Sequence, residues 1–120
     1  MRQYSLIGLA LVIVLALWLA FAPPRFWLNL TKSVDLSDSV GTGAALAADY
    51  DCRDCHRIDG RGALQAPALD DVTRRIDRET IRRWLINPRA MSGSRAMPNP
   101  RLSDSEIEAI IAYLESLAME

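Results

Sequence analysis

From Ser5 to Ala22 the chain reads SLIGLALVIVLALWLAFA, with no charged residue and no polar face. At ~1.5 Å per residue, a helix of about 18 residues reaches ~27 Å, close to the hydrocarbon thickness of a bilayer. This run predicts a transmembrane helix. Near the other end the pattern changes character. Ile107, Ile110, Ile111, Leu114 and Leu117 recur at spacings of three and four, so one face of a helix is expected to be buried and the other wet. Ser103 and Glu106 form a capping box at its start.

Between these two segments the pattern is helical in short pieces. Gly43 to Tyr50 carries strong helix formers. A second helix is expected near Leu69–Arg75, and a third over Arg78–Ile86, with Asp77 as its N-cap and a stop before Pro88. No segment alternates convincingly as a strand. Residues 28–40 are polar, rich in Ser and Asp, and without a sustained period; they read as a tether or as a segment that docks on a partner. The expected organisation is therefore a signal-anchor helix over residues 1–24, a linker over 25–40 and an all-α domain over 41–120.

A cleaved signal peptide is the competing reading of the first segment, because Ala20-Phe21-Ala22 resembles a cleavage site. Its apolar run is longer than the usual core of about 7–15 residues, and Pro23 would stand just after the cut, where it obstructs the peptidase. An uncleaved anchor is expected. Trp18 and the Arg25-Phe26-Trp27 cluster suit an interfacial belt, whereas Arg2 on one side and Arg25 and Lys32 on the other barely discriminate orientation.

Charge narrows the field. The formal net charge is −1, which gives no support for nucleic-acid binding. A single lysine, Lys32, stands against thirteen arginines, so there is no lysine-rich docking face. Arg53, Arg57 and Arg61 surround the motif described next, but Asp51, Asp54 and Asp59 interleave with them and cancel most of the local field.

The chemistry lies in Cys52-Arg53-Asp54-Cys55-His56. A C-x-x-C-H run reads as a c-type haem attachment site: two thiols take the haem vinyl groups, and the next residue points its ring at the iron. His56 is then the proximal ligand. A structural zinc site needs four ligands, and these are the only two cysteines and the only histidine in the chain. A thioredoxin-like pair calls for a strand and helix alternation that is not found, and a plain disulfide leaves the position of the histidine unexplained. An 80-residue all-α domain also has little core of its own, and a covalent haem would supply an apolar body to pack around.

From Gly43 to Leu117 the chain resembles the class I cytochromes c. The likeness is carried by Gly43-Ala44-Ala45-Leu46 before the C-x-x-C-H motif, Ala66-Pro67-Ala68-Leu69, Trp84-Leu85-Ile86-Asn87-Pro88, Met97-Pro98 and the closing Ala112-Tyr113-Leu114. The resemblance implies one covalent haem c. It implies that the carbonyl of Pro67 meets the free ring nitrogen of His56, and that Gly43 and Tyr113 meet where the first and last helices of the domain cross. It further implies that Met97 supplies the sixth iron ligand, with Met91 as the other internal candidate.

With His56 and Met97 as metal ligands, the expected function is single-electron transfer with no catalytic residues. The chain would be a membrane-anchored subunit of, or tethered donor to, a respiratory complex of the terminal oxidase or nitric oxide reductase kind. Its partners would be the membrane and integral redox subunits. Thioether attachment, as the resemblance implies, takes place outside the bacterial inner membrane, which places the haem domain in the periplasm. The alternative is a five-coordinate haem that binds a gas or peroxide, as a sensor or an enzyme; Met97 separates the two readings.

Overall fold

A computed structural model describes all of residues 1–120. The closing helix organises the fold. Helix α7 (Asp104–Ala118) starts at Ser103, whose hydroxyl accepts from the Glu106 amide at 3.2 Å while the Glu106 carboxylate accepts from the Ser103 amide at 3.0 Å. This reciprocal cap satisfies two amide donors that would otherwise lack intrahelical partners. Ile107, Ile110, Ile111 and Leu114 are buried along the expected face, joined by Ala109, Tyr113 and Ala118. Each fully buried Ile or Leu side chain is worth about 1.5–3 kcal/mol relative to exposure, so this face dominates the core.

Helix α3 (Ser39–Asp49) crosses α7 and contributes Gly43, Leu46 and Ala47 to the same core. Its C-cap residue Tyr50 donates its hydroxyl to Glu106 at 2.8 Å. Burial and then the neighbouring Glu106 carboxylate push the Tyr50 phenol well above its ordinary range, so it stays a donor. Glu106 is almost wholly buried, yet it caps α7 with one oxygen and holds α3 with the other.

The middle of the chain is made of short elements. The helix expected over Leu69–Arg75 is only a single turn, α4 (Val72–Arg75). The residues before it are pinned to the preceding loop: the Leu69 amide donates to the Arg57 carbonyl at 2.9 Å, and the Asp70 carboxylate accepts from the Gly60 amide at 2.9 Å. Helix α5 (Arg78–Ile86) has the expected limits, with the Asp77 carboxylate accepting from the Thr80 hydroxyl. A further turn, α6 (Pro88–Ser92), follows where only a stop was expected. Proline is well placed in a first helical turn because the missing amide has no intrahelical partner there. The Asn87 side chain caps this turn through the Ala90 amide, and Gly93 at φ 69° ends it.

No strand forms. One isolated bridge joins Ile58 to Arg61 across a tight turn in which Asp59 and Gly60 both have positive φ, 55° and 70°. An Asp-Gly pair is the usual occupant of that geometry.

At the other end, α1 (Arg2–Phe21) has a mean hydropathy of 2.5 and buries no residue against the rest of the chain; it is long and apolar enough to cross a membrane. The segment after it differs from a free tether. Pro23 and Pro24 lead into α2 (Arg25–Thr31), which seats Leu28 in the fold and lies against the start of α7. Arg25 donates to the Leu102 carbonyl at 2.7 Å and pairs with Asp104. Asn29 and Asp104 exchange two hydrogen bonds of 2.8 Å, and Lys32 donates to the Arg101 carbonyl at 2.6 Å. Ser103 donates to the Lys32 carbonyl at 2.9 Å, and the Val34 amide donates to Ser105 at 2.9 Å. A segment without its own hydrophobic period is thus held by polar groups of the closing helix, which periodicity does not reveal.

Candidate functional site

The motif leaves α3 through a forced turn. Asp51 takes the left-handed conformation, φ 55°, and Cys52–Asp54 wind into one 3-10 turn closed by Cys55 N to Cys52 O at 3.4 Å, with His56 N donating to the same oxygen at 3.0 Å. Both thiols and the imidazole therefore project from a few residues of constrained backbone. Arg53 fixes this turn from the inside. Its Nε donates to the Ile58 carbonyl at 3.2 Å and its Nη2 donates to the Tyr113 hydroxyl on α7 at 3.1 Å.

The following loop laces back over the motif. Ala63 N donates to Arg53 O at 3.0 Å and Ala66 N to Cys55 O at 2.8 Å. Gly62, at φ 116°, passes so close that a β-carbon there would meet the His56 carbonyl oxygen at 2.3 Å. Only glycine fits both that conformation and that approach. The loop delivers Pro67 to the ring, with His56 Nδ1 at 2.7 Å from the Pro67 carbonyl oxygen. A carbonyl can only accept, so Nδ1 carries the proton and Nε2 keeps a lone pair free for a metal.

Cys52 and Cys55 are half-buried and not bonded to each other. Burial pushes the Cys52 thiol upward, and the nearby Arg53 charge only partly offsets this. No three His, Cys, Asp or Glu side chains gather closely enough to ligate one metal ion. The two sulfurs and the imidazole are instead spread along the turn, an arrangement that suits a flat ligand gripped at its edge and bound at its centre.

Met97 is half-buried on the loop after α6, where it lines an open cavity of about 260 Å³ with Arg89, Arg95, Pro98 and Asn99. Met91, on α6, is more exposed. The three arginines around the motif have separate fates. Arg53 points inward as described, Arg57 pairs with Asp70 at 3.5 Å, and Arg61 is exposed without an ion pair. The Gly60 amide, aided by Arg57 against the cost of burial, holds the Asp70 carboxyl below the usual carboxylate range. Sequence reasoning missed Asp70 as a support of this loop and missed Arg53 as a link to Tyr113. Neither has a local signature, because each partner is distant along the chain.

Residues 40–118 match the cytochrome c family profile. The chain belongs to the cytochrome c family. The C subunit of nitric oxide reductase from Halomonas halodenitrificans is 31% identical over 111 residues, which cover 82% of this chain and 74% of that protein. The protein of the same name from Paracoccus denitrificans is 34% identical over 96 residues, covering 70% of this chain and 64% of that one. Cytochrome c oxidase subunit 2 of Alkalihalophilus pseudofirmus is 29% identical over 84 residues, 62% of this chain but only 25% of that protein. The fold is that of a class I c-type cytochrome, an electron-transport protein whose cofactor is covalently bound haem c.

Proposed function

We propose that this cytochrome is a non-catalytic electron-transfer subunit of, or tethered donor to, a respiratory complex of the nitric oxide reductase or terminal oxidase type. Helix α1 anchors it in a bacterial inner membrane as a single span, with the haem domain in the periplasm. The similarity to the C subunit of nitric oxide reductase supports the choice of complex, and the length and apolarity of α1 support the anchor.

The observation that carries the reading is the His56 to Pro67 contact. Cys52 and Cys55 would hold the cofactor through thioether bonds, and His56 would present Nε2 to the iron. The Pro67 carbonyl, by accepting the Nδ1 proton, fixes the tautomer and ring plane and makes Nε2 a stronger donor. Met97, on the loop after α6, would supply the thioether ligand to the iron. Bound haem c supplies a one-electron iron couple, and a Met/His ligand pair raises its potential. His56 and Met97 would hold the iron in both oxidation states, so that little would reorganise on electron transfer, and the fold would place the cofactor near another redox centre.

Met97 tests the reading. The oxidised protein is expected to be low-spin, with a weak near-infrared sulfur-to-iron band, and the reduced form should not take up carbon monoxide readily at neutral pH. Met97→Ala should lower the reduction potential and open the iron to carbon monoxide, whereas Met91→Ala should do neither. A wild-type protein that binds carbon monoxide as fast as the Met97 variant would replace the carrier with a five-coordinate, gas-binding haem.

A further inference from the structure

Helix α2 is inverted relative to an ordinary surface helix. At about 3.6 residues per turn, Arg25, Leu28, Asn29 and Lys32 fall on one side and Phe26, Trp27 and Leu30 on the other. The inner side is mostly polar, and all three of its polar residues bond to Arg101, Leu102 or Asp104. The outer side is apolar and solvent-facing, with Phe26 61% and Leu30 74% exposed and Trp27 exposed beside them. A surface helix in water normally buries its apolar stripe and wets its polar one.

The position of α2 identifies what covers that outer face. Only Ala22, Pro23 and Pro24 separate it from the end of α1, a reach of at most ~14 Å from Phe21 to Arg25 at ~3.6 Å per residue. The face is uncharged and combines an indole and a phenyl ring with a leucine, the side chains that favour the level of lipid headgroups. Both prolines have fixed φ, which restricts the elbow between the two helices.

We propose that α2 is a membrane-surface bracket, with its inner face fixed to the haem domain and Phe26, Trp27 and Leu30 seated in the bilayer interface. The domain is then held in one orientation on the membrane and does not swing on a linker. This rests on the reading of α1 as a membrane anchor. The consequence is functional: the height and tilt of the haem edge are set before any partner is met, which restricts the domain to acceptors at a matching height in the same membrane.

Full-length holoprotein in oriented phosphatidylcholine bilayers provides the test, by linear dichroism of the main haem absorption band. Wild type is expected to show dichroism. The pair Phe26→Ser with Leu30→Ser should abolish it from outside the bracket, and the pair Asn29→Ala with Asp104→Ala, which leaves the Arg25 and Lys32 bonds to the Leu102 and Arg101 carbonyls, should reduce it from inside, with haem content and membrane retention unchanged in both. A membrane-bound wild type with isotropic haem would overturn the proposal, as would dichroism that survives the Phe26 and Leu30 substitutions. Order that appears only when an integral redox partner is added would assign the outer face to protein and overturn lipid as its occupant. A chain that washes out of the bilayer would overturn the anchor reading itself, and the bracket with it.

Discussion

Gly43 and Ala109 meet backbone to backbone: a β-carbon on Gly43 would lie 2.0 Å from the Ala109 carbonyl oxygen and 2.8 Å from the β-carbon of Tyr113. In a helix interior, replacing Gly by Ala ordinarily gains about 0.5–1 kcal/mol. Here the atom in the way is main chain of α7, so α3 and α7 must separate, and overpacking of this kind typically costs about 1–3 kcal/mol. Gly43→Ala should therefore lower stability by roughly 1–2 kcal/mol, read by denaturant unfolding followed through helical circular dichroism. An unchanged or higher midpoint would mean that the two helices are not in contact at this point.

Haem attachment is expected to survive denaturing electrophoresis, with peroxidase-type haem stain at the mass of the chain. Cys52→Ala or Cys55→Ala should weaken the stain, and His56→Ala should abolish the mature spectrum. Quantitative extraction of haem from the intact protein into acidic organic solvent would count against thioether bonds.

Arg53 joins the motif to the closing helix through the Ile58 carbonyl and the Tyr113 hydroxyl. Tyr113→Phe removes one of these hydrogen bonds and should cost about 0.5–1.5 kcal/mol. Arg53→Ala removes both and should cost more. In thermal unfolding the double variant should be little worse than Arg53→Ala alone, because the lost Tyr113 bond is shared; strict additivity would show that the two side chains act independently.

Acid should loosen the loop that carries Pro67. The Asp70 carboxyl is held below its ordinary value, chiefly by the Gly60 amide. A depressed folded-state pKa gives stability that is fully present above the unfolded value of about 3.9 and is lost as the pH falls through the lower folded value. Asp70→Asn should flatten that part of the stability profile between roughly pH 5 and pH 2, measured by unfolding midpoints at each pH. A profile identical to wild type would remove Asp70 from the account.

The anchor makes its own prediction. The purified native chain should keep Arg2 and stay with the membrane fraction through a high-salt wash, since an apolar span is not displaced by ions. An intact mass beginning at Pro23, with soluble protein, would show instead a cleaved leader.

Local features of this chain were legible without a fold. The apolar run of α1, the cap at Ser103, the limits of α5 and the buried stripe of α7 depend on neighbours three or four residues away, which is the range over which a helix speaks to itself. The turn from Cys52 to His56 belongs to the same class. Three outcomes needed tertiary structure. The Pro67 carbonyl reaches His56 only because Gly62 and the amides of Ala63, Ala66 and Leu69 fold the loop back, and the family resemblance, not the spacing, implied that contact. Leu69 and Asp70 stay outside α4, tied to the Arg57 carbonyl and the Gly60 amide across the loop. Residues 25–34 dock on the closing helix because Arg25, Asn29 and Lys32 find partners some seventy residues away. Polar groups matched over such distances leave no period in a sequence; only the folded chain brings donor and acceptor together.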